Sequence, residues 1–99
     1  MRALLIQPDS RSIEVIDVQS HEDIARRVGY DTLESDAVGD AGDRLFFDEA
    51  CFLRGSGGRF QVDTLIPVAG VAVIVGQDGD RLCDATIDPD ALRQRIKFL

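Results

Sequence analysis

The chain has no tryptophan, one tyrosine (Tyr30), one histidine (His21) and one lysine (Lys97). Apart from Tyr30 its only six-membered aromatic rings are five phenylalanines, so the core must be aliphatic with a few Phe side chains. The two cysteines, Cys51 and Cys83, form no C-x-x-C pair. That spacing argues against a zinc ribbon or a thioredoxin-type redox site. No secretory leader is evident, so both thiols are expected to be reduced and buried in a cytoplasmic protein. The longest apolar stretch, Leu65 to Val75, is broken by Pro67 and Gly70. It is much shorter than the ~20 residues a membrane helix needs. No G-x-x-x-x-G-K-[ST] or G-x-G-x-x-G loop is present. The ten arginines are scattered, without the stripe that tracks a phosphate backbone.

What the chain does have is localised acid. Between positions 31 and 49 stand Asp31, Glu34, Asp36, Asp40, Asp43, Asp48 and Glu49 against one base, Arg44. This stretch holds six of the seven net negative charges of the whole 99-residue chain. Such a face repels phosphates and attracts Lys- and Arg-rich surfaces. It also serves solubility, which is the commoner use of a charge run. The partner it fits is a protein with a basic surface rather than a nucleic acid or a membrane.

At this length the chain is one domain. Ala3 to Ile6 is a continuous apolar run, which suggests a strand covered on both faces. Pro8-Asp9-Ser10 turns the chain, and Ile13 to Val18 returns as a hairpin partner. Ser20 can cap a helix running to Val28, with Asp23 placed to reach back and Gly29 as the stop. Thr32 to Val38 and Arg44 to Phe47 read as strands joined by a glycine turn, and Cys51-Phe52-Leu53 as a short apolar piece. Gly70 to Gly76, rich in β-branched residues, predicts a central strand. Asp78-Gly79 is a hairpin signal, and Arg81 to Cys83 is its return strand. Asp88-Pro89-Asp90 opens a second helix, expected to run to Leu99 with Leu92, Ile96 and Leu99 on one face.

These pieces predict an α+β fold, a largely antiparallel sheet of five or six strands with two short helices. A sheet with two apolar faces needs two covers, and two short helices supply one. The second cover could come from curvature into a partial barrel, from the Cys51 to Leu65 segment, or from a second copy of the chain. Coverage within a monomer is favoured, because Phe46, Phe47, Phe52 and Phe60 stand nearby in sequence.

Four segments carry the order of the pieces. They are Ala3-Leu4-Leu5-Ile6 with Pro8, Leu45-Phe46-Phe47-Asp48-Glu49, Val68 to Gly76, and Leu92 to Leu99 with Arg95 and Phe98. In these the chain resembles the family known as domain of unknown function 3846 (DUF3846), small bacterial, phage and plasmid-borne proteins. The resemblance implies an accessory protein of a mobile element and lends no activity.

Candidate chemistry is sparse. Arg54, Gly55, Gly57, Gly58 and Arg59 could cradle an anion with backbone N–H groups and two guanidinium groups. The plainer use of such a loop is a mobile surface turn over Gly55 to Gly58. Asp78, Asp80, Asp84, Asp88 and Asp90 lack the order of a calcium loop, since Leu82 and Cys83 interrupt them. His21 has no partner at a facing helical position, so it reads as an exposed first-turn residue. No nucleophile, base, cofactor or metal cage is indicated. The reading is a non-enzymatic interaction protein. The alternatives are a DNA-mimic inhibitor of a nucleic-acid enzyme and a small anion-binding protein using the glycine loop. One consequence is testable at once: at physiological salt the chain should give no duplex-DNA mobility shift at about micromolar concentration, because its acids repel phosphate.

Overall fold

The computed structural model describes residues 1–54 and 57–99. Its main sheet is built from β1 (Arg2–Gln7), β2 (Ser12–Asp17), β3 (Leu33–Val38), β4 (Asp43–Asp48) and β7 (Ala72–Asp78). They lie in the order β2-β1-β7-β4-β3, with β8 (Arg81–Cys83) also paired to β7. Every pairing is antiparallel. A smaller sheet holds β6 (Val68–Ala69), β5 (Arg59–Val62) and β9 (Ile96–Phe98). The helices are α1 (His21–Val28) and α2 (Pro89–Arg93), and Cys51–Leu53 forms one 3-10 turn. The fold is therefore α+β with a largely antiparallel sheet and two short helices, and the main sheet stays open rather than closing into a barrel.

Burial explains the order. Ala72 to Val75 have no exposed surface, and Ala3 to Ile6 are all buried. Alternation along the strands then sorts the side chains. Leu4, Ile6, Leu45, Ala72 and Ile74 join one cluster, while Ala3, Leu5, Phe46, Val73 and Val75 join the other. Helix α1 covers the second cluster through Ile24 and Val28. Burying these two side chains contributes about 1.5–3 kcal/mol each, enough to hold a two-turn helix that would be marginal alone. The first cluster is covered by the small sheet and α2, through Phe60, Val62, Val68 and Leu92. Both apolar faces are thus covered within the chain over β1, β7 and β4. Cys51, Phe60, Val62 and Leu65 supply part of the second cover, but the C-terminal strand and helix are needed as well.

The ends of α1 follow the sequence. The Ser20 hydroxyl accepts from the Asp23 N–H at 3.2 Å, and the Asp23 carboxylate accepts from the Gln19 N–H at 2.8 Å. Gly29 stops the helix at φ 98°, donating to the Ala25 carbonyl at 2.8 Å. Three expectations are corrected. First, α2 ends at Arg93, and Ile96–Phe98 leaves as a strand beside β5, with Phe60 opposite Phe98 and Val62 opposite Ile96. A helix to Leu99 would leave β5 without a partner on this side. The Asp63 N–H donates to the Arg95 carbonyl, and the Leu99 N–H to that of Arg59. Second, the Gly70 to Gly76 strand begins only at Ala72. Gly70, at φ 79°, hands the chain from the small sheet to the main one. Gly76 does not end it either. A Cβ there would stand 2.5 Å from the Asp84 carbonyl oxygen, so Gly76 lets β8 and the following chain approach β7. Third, Cys51 is buried but Cys83 is exposed, because β8 is a three-residue strand at the sheet's margin.

One buried acid ties the second cover down. Asp43 is 3 % exposed. Its carboxylate accepts from the Thr86 N–H at 2.8 Å, the Thr86 hydroxyl at 2.7 Å and the Ile87 N–H at 3.1 Å. The chain entering α2 is thereby fixed to the start of β4. Asp43→Ala should lower unfolding stability by about 3 kcal/mol, since buried donors would lose a charged acceptor. Asp40→Ala, in the exposed β3–β4 turn, should change it by less than about 0.5 kcal/mol. Urea unfolding curves of the two variants provide the comparison.

Candidate functional site

Seven acids cluster in sequence, but the fold separates them. Asp43 and Asp48 are buried. Asp31 follows the C-terminal end of α1, where it lines a shallow surface with Ala25, Arg26 and Tyr30. Asp40 lies exposed in the β3–β4 turn. Glu34, Asp36 and Glu49 come together along one groove.

The groove is a product of register. Glu34 and Asp36 are two apart on β3 and so share a face. Opposite them on β4 stand Phe47 and Leu45. This is the face that the small sheet covers; the cover reaches β3 at Val38 but stops short of Glu34 and Asp36. The 3-10 turn and the Ile66-Pro67 segment line the opposite side of the gap. The hollow has a volume of about 360 Å³, with Phe47, Cys51, Phe52, Ile66 and Pro67 as its apolar lining. Phe52 is 49 % exposed and Ile66 70 % exposed, a high degree for side chains of this size. Arg44, the only base in the acidic stretch, lies opposite Ala37 and donates to the Ser35 hydroxyl and carbonyl at 3.0 Å. Alternation therefore puts it on the other face of the hairpin, away from Glu34 and Asp36.

The turn that carries Phe52 is held by Asp48. Its carboxylate accepts from the Thr32 hydroxyl, from the Ala50 N–H at 3.1 Å and from Arg54 Nε at 2.9 Å. The Arg54 guanidinium in turn lies 4.0 Å from the centre of the Tyr30 ring. Burial alone would raise the Asp48 pKa. Hydrogen bonds from Arg54, Thr32 and Ala50 outweigh it and hold the carboxyl below its ordinary value.

The described residues of the glycine loop, Arg54, Gly57, Gly58 and Arg59, make local contacts. Arg54 is engaged by Asp48, and the Arg59 guanidinium lies 5.2 Å from the centre of the Phe52 ring. Gly57 and Gly58 press on the Pro8-Asp9 turn. A Cβ on Gly58 would come within 2.6 Å of the Pro8 carbonyl carbon, and one on Gly57 would clash with the Asp9 carboxylate. The Asp9 carboxylate thus lies beside the described end of the loop. Gly55 and Ser56 lie outside the described residues, and so does half of the expected mobile turn, Gly55 to Gly58.

Little else resembles a reaction centre. His21 is exposed and rests edge-on against Phe46, with ring centres 5.7 Å apart. Among the described residues no group of three His, Cys, Asp or Glu side chains could hold a metal ion. Among the same residues no buried side-chain nitrogen or oxygen lacks a hydrogen-bond partner. A second hollow, of about 320 Å³, lies between the Asp9 turn, the end of α1 and the Ala69–Val71 segment. Its floor acid, Asp48, is already committed to Arg54. Among the described residues no helix is long and apolar enough to cross a membrane.

Sequence reasoning singled out Glu34, Asp36 and Glu49 but not Phe52, Ile66 or Pro67. The last two sit inside the apolar run from Leu65 to Val75, and nothing local distinguishes an exposed isoleucine from a buried one. Compared with family models, curated proteins and solved structures, the chain matches none.

The depressed Asp48 pKa has a signed consequence. A carboxyl held low in the folded state takes up its proton more readily once unfolded, near pH 4. Its contribution is complete above that value and drains away as pH falls through the folded-state value. Asp63, held low by its hydrogen bonds from Arg95, adds to the same acid limb. Asp48→Asn should cost about 2 kcal/mol at neutral pH. It should also flatten the loss of stability below about pH 4.5 relative to the parent chain. Urea midpoints between about pH 7 and pH 3 measure both effects.

Proposed function

We propose that this chain is a small non-catalytic interaction protein that receives a basic partner protein in the groove beside the β3–β4 hairpin. One observation carries the reading. Three carboxylates, Glu34, Asp36 and Glu49, flank an apolar hollow that leaves Phe52 and Ile66 open to solvent. An apolar floor with a charged rim of one sign suits a segment that mixes aliphatic or aromatic anchors with Lys or Arg. Long basic side chains can lay their methylene stems on the floor and bring their heads to the rim. The resemblance to DUF3846 is compatible with an accessory role on a mobile element. A cytoplasmic setting agrees with two free thiols.

A second reading, the DNA mimic, draws on one feature. Residues two apart on a strand are separated by roughly 7 Å, comparable to a phosphate step, and Glu34 and Asp36 are so placed. The row is short, because Asp43 and Asp48 turn inward. Such a partner would release the chain when duplex DNA is added, whereas a basic peptide segment bound through Phe52 would not.

Titration with a peptide alternating lysine and phenylalanine, followed by amide chemical shifts, tests the main reading. Shifts should cluster at residues 33–37, 47–52 and 66–67 and saturate. Glu34→Lys with Asp36→Lys should weaken binding by about tenfold, as should Phe52→Ala alone. Shifts scattered over the surface, or no saturation, would sink the proposal.

A further inference from the structure

The occupant of the groove can be specified further, building on the reading just given. We propose that it is an extended segment of the partner, added to the main sheet as a new strand along the outer edge of β3. β3 ends the sheet path. Its inner side is paired to β4 over all six residues, Leu33 to Val38. Among the described residues its outer side has no strand partner. Six residues is a full-length strand, so the edge offers a complete row of outward N–H and C=O groups. Strand addition uses such a row for affinity and the flanking side-chain sites for selection.

The side chains on this edge define the class of partner. On the groove face β3 presents Glu34 and Asp36, followed by the buried Val38, and on the other face Leu33, Ser35 and Ala37. An added strand would alternate in the same way. Its groove-side residues would meet carboxylates and the apolar hollow, so Lys or Arg fits there. Its other residues would meet small or apolar neighbours. The same acids disfavour a second copy of the chain. Two β3 edges paired antiparallel about Ser35 would set Glu34 directly against Asp36 of the other copy, twice, and like charges directly opposite are destabilising. The edge therefore disfavours pairing with itself and favours a basic strand.

Backbone methylation of the probe isolates the strand component. The probe is a capped peptide of about seven residues alternating lysine with valine. Two variants carry N-methyl groups on one or the other set of alternate amides. Strand addition requires a period of two. One set should weaken binding by about thirtyfold and the other by less than about threefold. Exchange of backbone amides within Leu33–Val38 should slow by about tenfold with the parent peptide. Equal loss from both sets, or loss from neither, would overturn strand addition while leaving the groove reading intact. So would saturable binding of a helical lysine–leucine peptide in preference to the extended one. Failure of every basic peptide to bind saturably would overturn both.

Discussion

Over its first five residues, Ala72 to Gly76, β7 has no side facing water. Its residues Ala72 to Val75 are fully buried, and they lie between β1 and β4, so both faces of the main sheet must be covered. The rest of the architecture answers that demand. One face takes α1, whose buried stripe is only Ile24 and Val28. The other takes a small sheet and a single-turn helix, elements too short to be stable alone. They hold because they close over Phe60, Leu92 and their neighbours. Their limited reach is also why the face beneath Glu34 and Asp36 of β3 stays open, while Val38 at the strand's other end is covered. The groove is the part of an apolar sheet that its second cover does not reach.

The acidic stretch serves this arrangement in two ways. At the two ends of β4, Asp43 and Asp48 turn inward and gather backbone and side-chain donors. Asp43 fixes the chain that leads into α2, and Asp48 fixes the turn that carries Cys51 and Phe52. A buried carboxylate is costly unless its hydrogen bonds are filled. Here the donors come from chain segments that otherwise have little to hold them. On β3 the acids instead face outward. Segment charge is therefore a poor guide to surface charge, since two of the seven carboxylates are internal struts.

Local chemistry was most legible where it acts within a few residues. The Ser20–Asp23 cap, the Gly29 stop, the Asp88-Pro89 start and the Asp78-Gly79 turn all lie where their residue types place them. What the sequence hid depends on distant partners. Ile96 to Phe98 is equally good as a helix end or a strand, and only β5, more than 30 positions earlier, decides it. Arg59 reads as the end of the glycine loop and Phe60 to Val62 as no strand, because β6 and β9, the partners of β5, both come later in the chain. The candidate site divides in the same way. Glu34 and Asp36 could be placed on one face from their spacing. Phe52 and Ile66 could not be seen as exposed, because exposure depends on where the second cover ends.

Stability is thus carried by two acids of the stretch, and the selectivity proposed for the β3 edge by others. Replacing an exposed carboxylate alters folding by a few tenths of a kcal/mol, since surface charges interact weakly through water. Glu34 and Glu49 are exposed and Asp36 is half-buried, so the chemistry of the β3 edge can change with little effect on the fold. Asp43 and Asp48 lack that freedom, because each holds at least three donors. An open strand edge also carries a hazard, since it can pair with any exposed strand. Like charges on β3 lower that risk for copies of the same chain and leave the edge accessible to segments of opposite charge. Protection from self-association and preference for a basic partner would then arise from the same side chains. The two properties should be lost together when Glu34 and Asp36 are neutralised, whereas the fold should not.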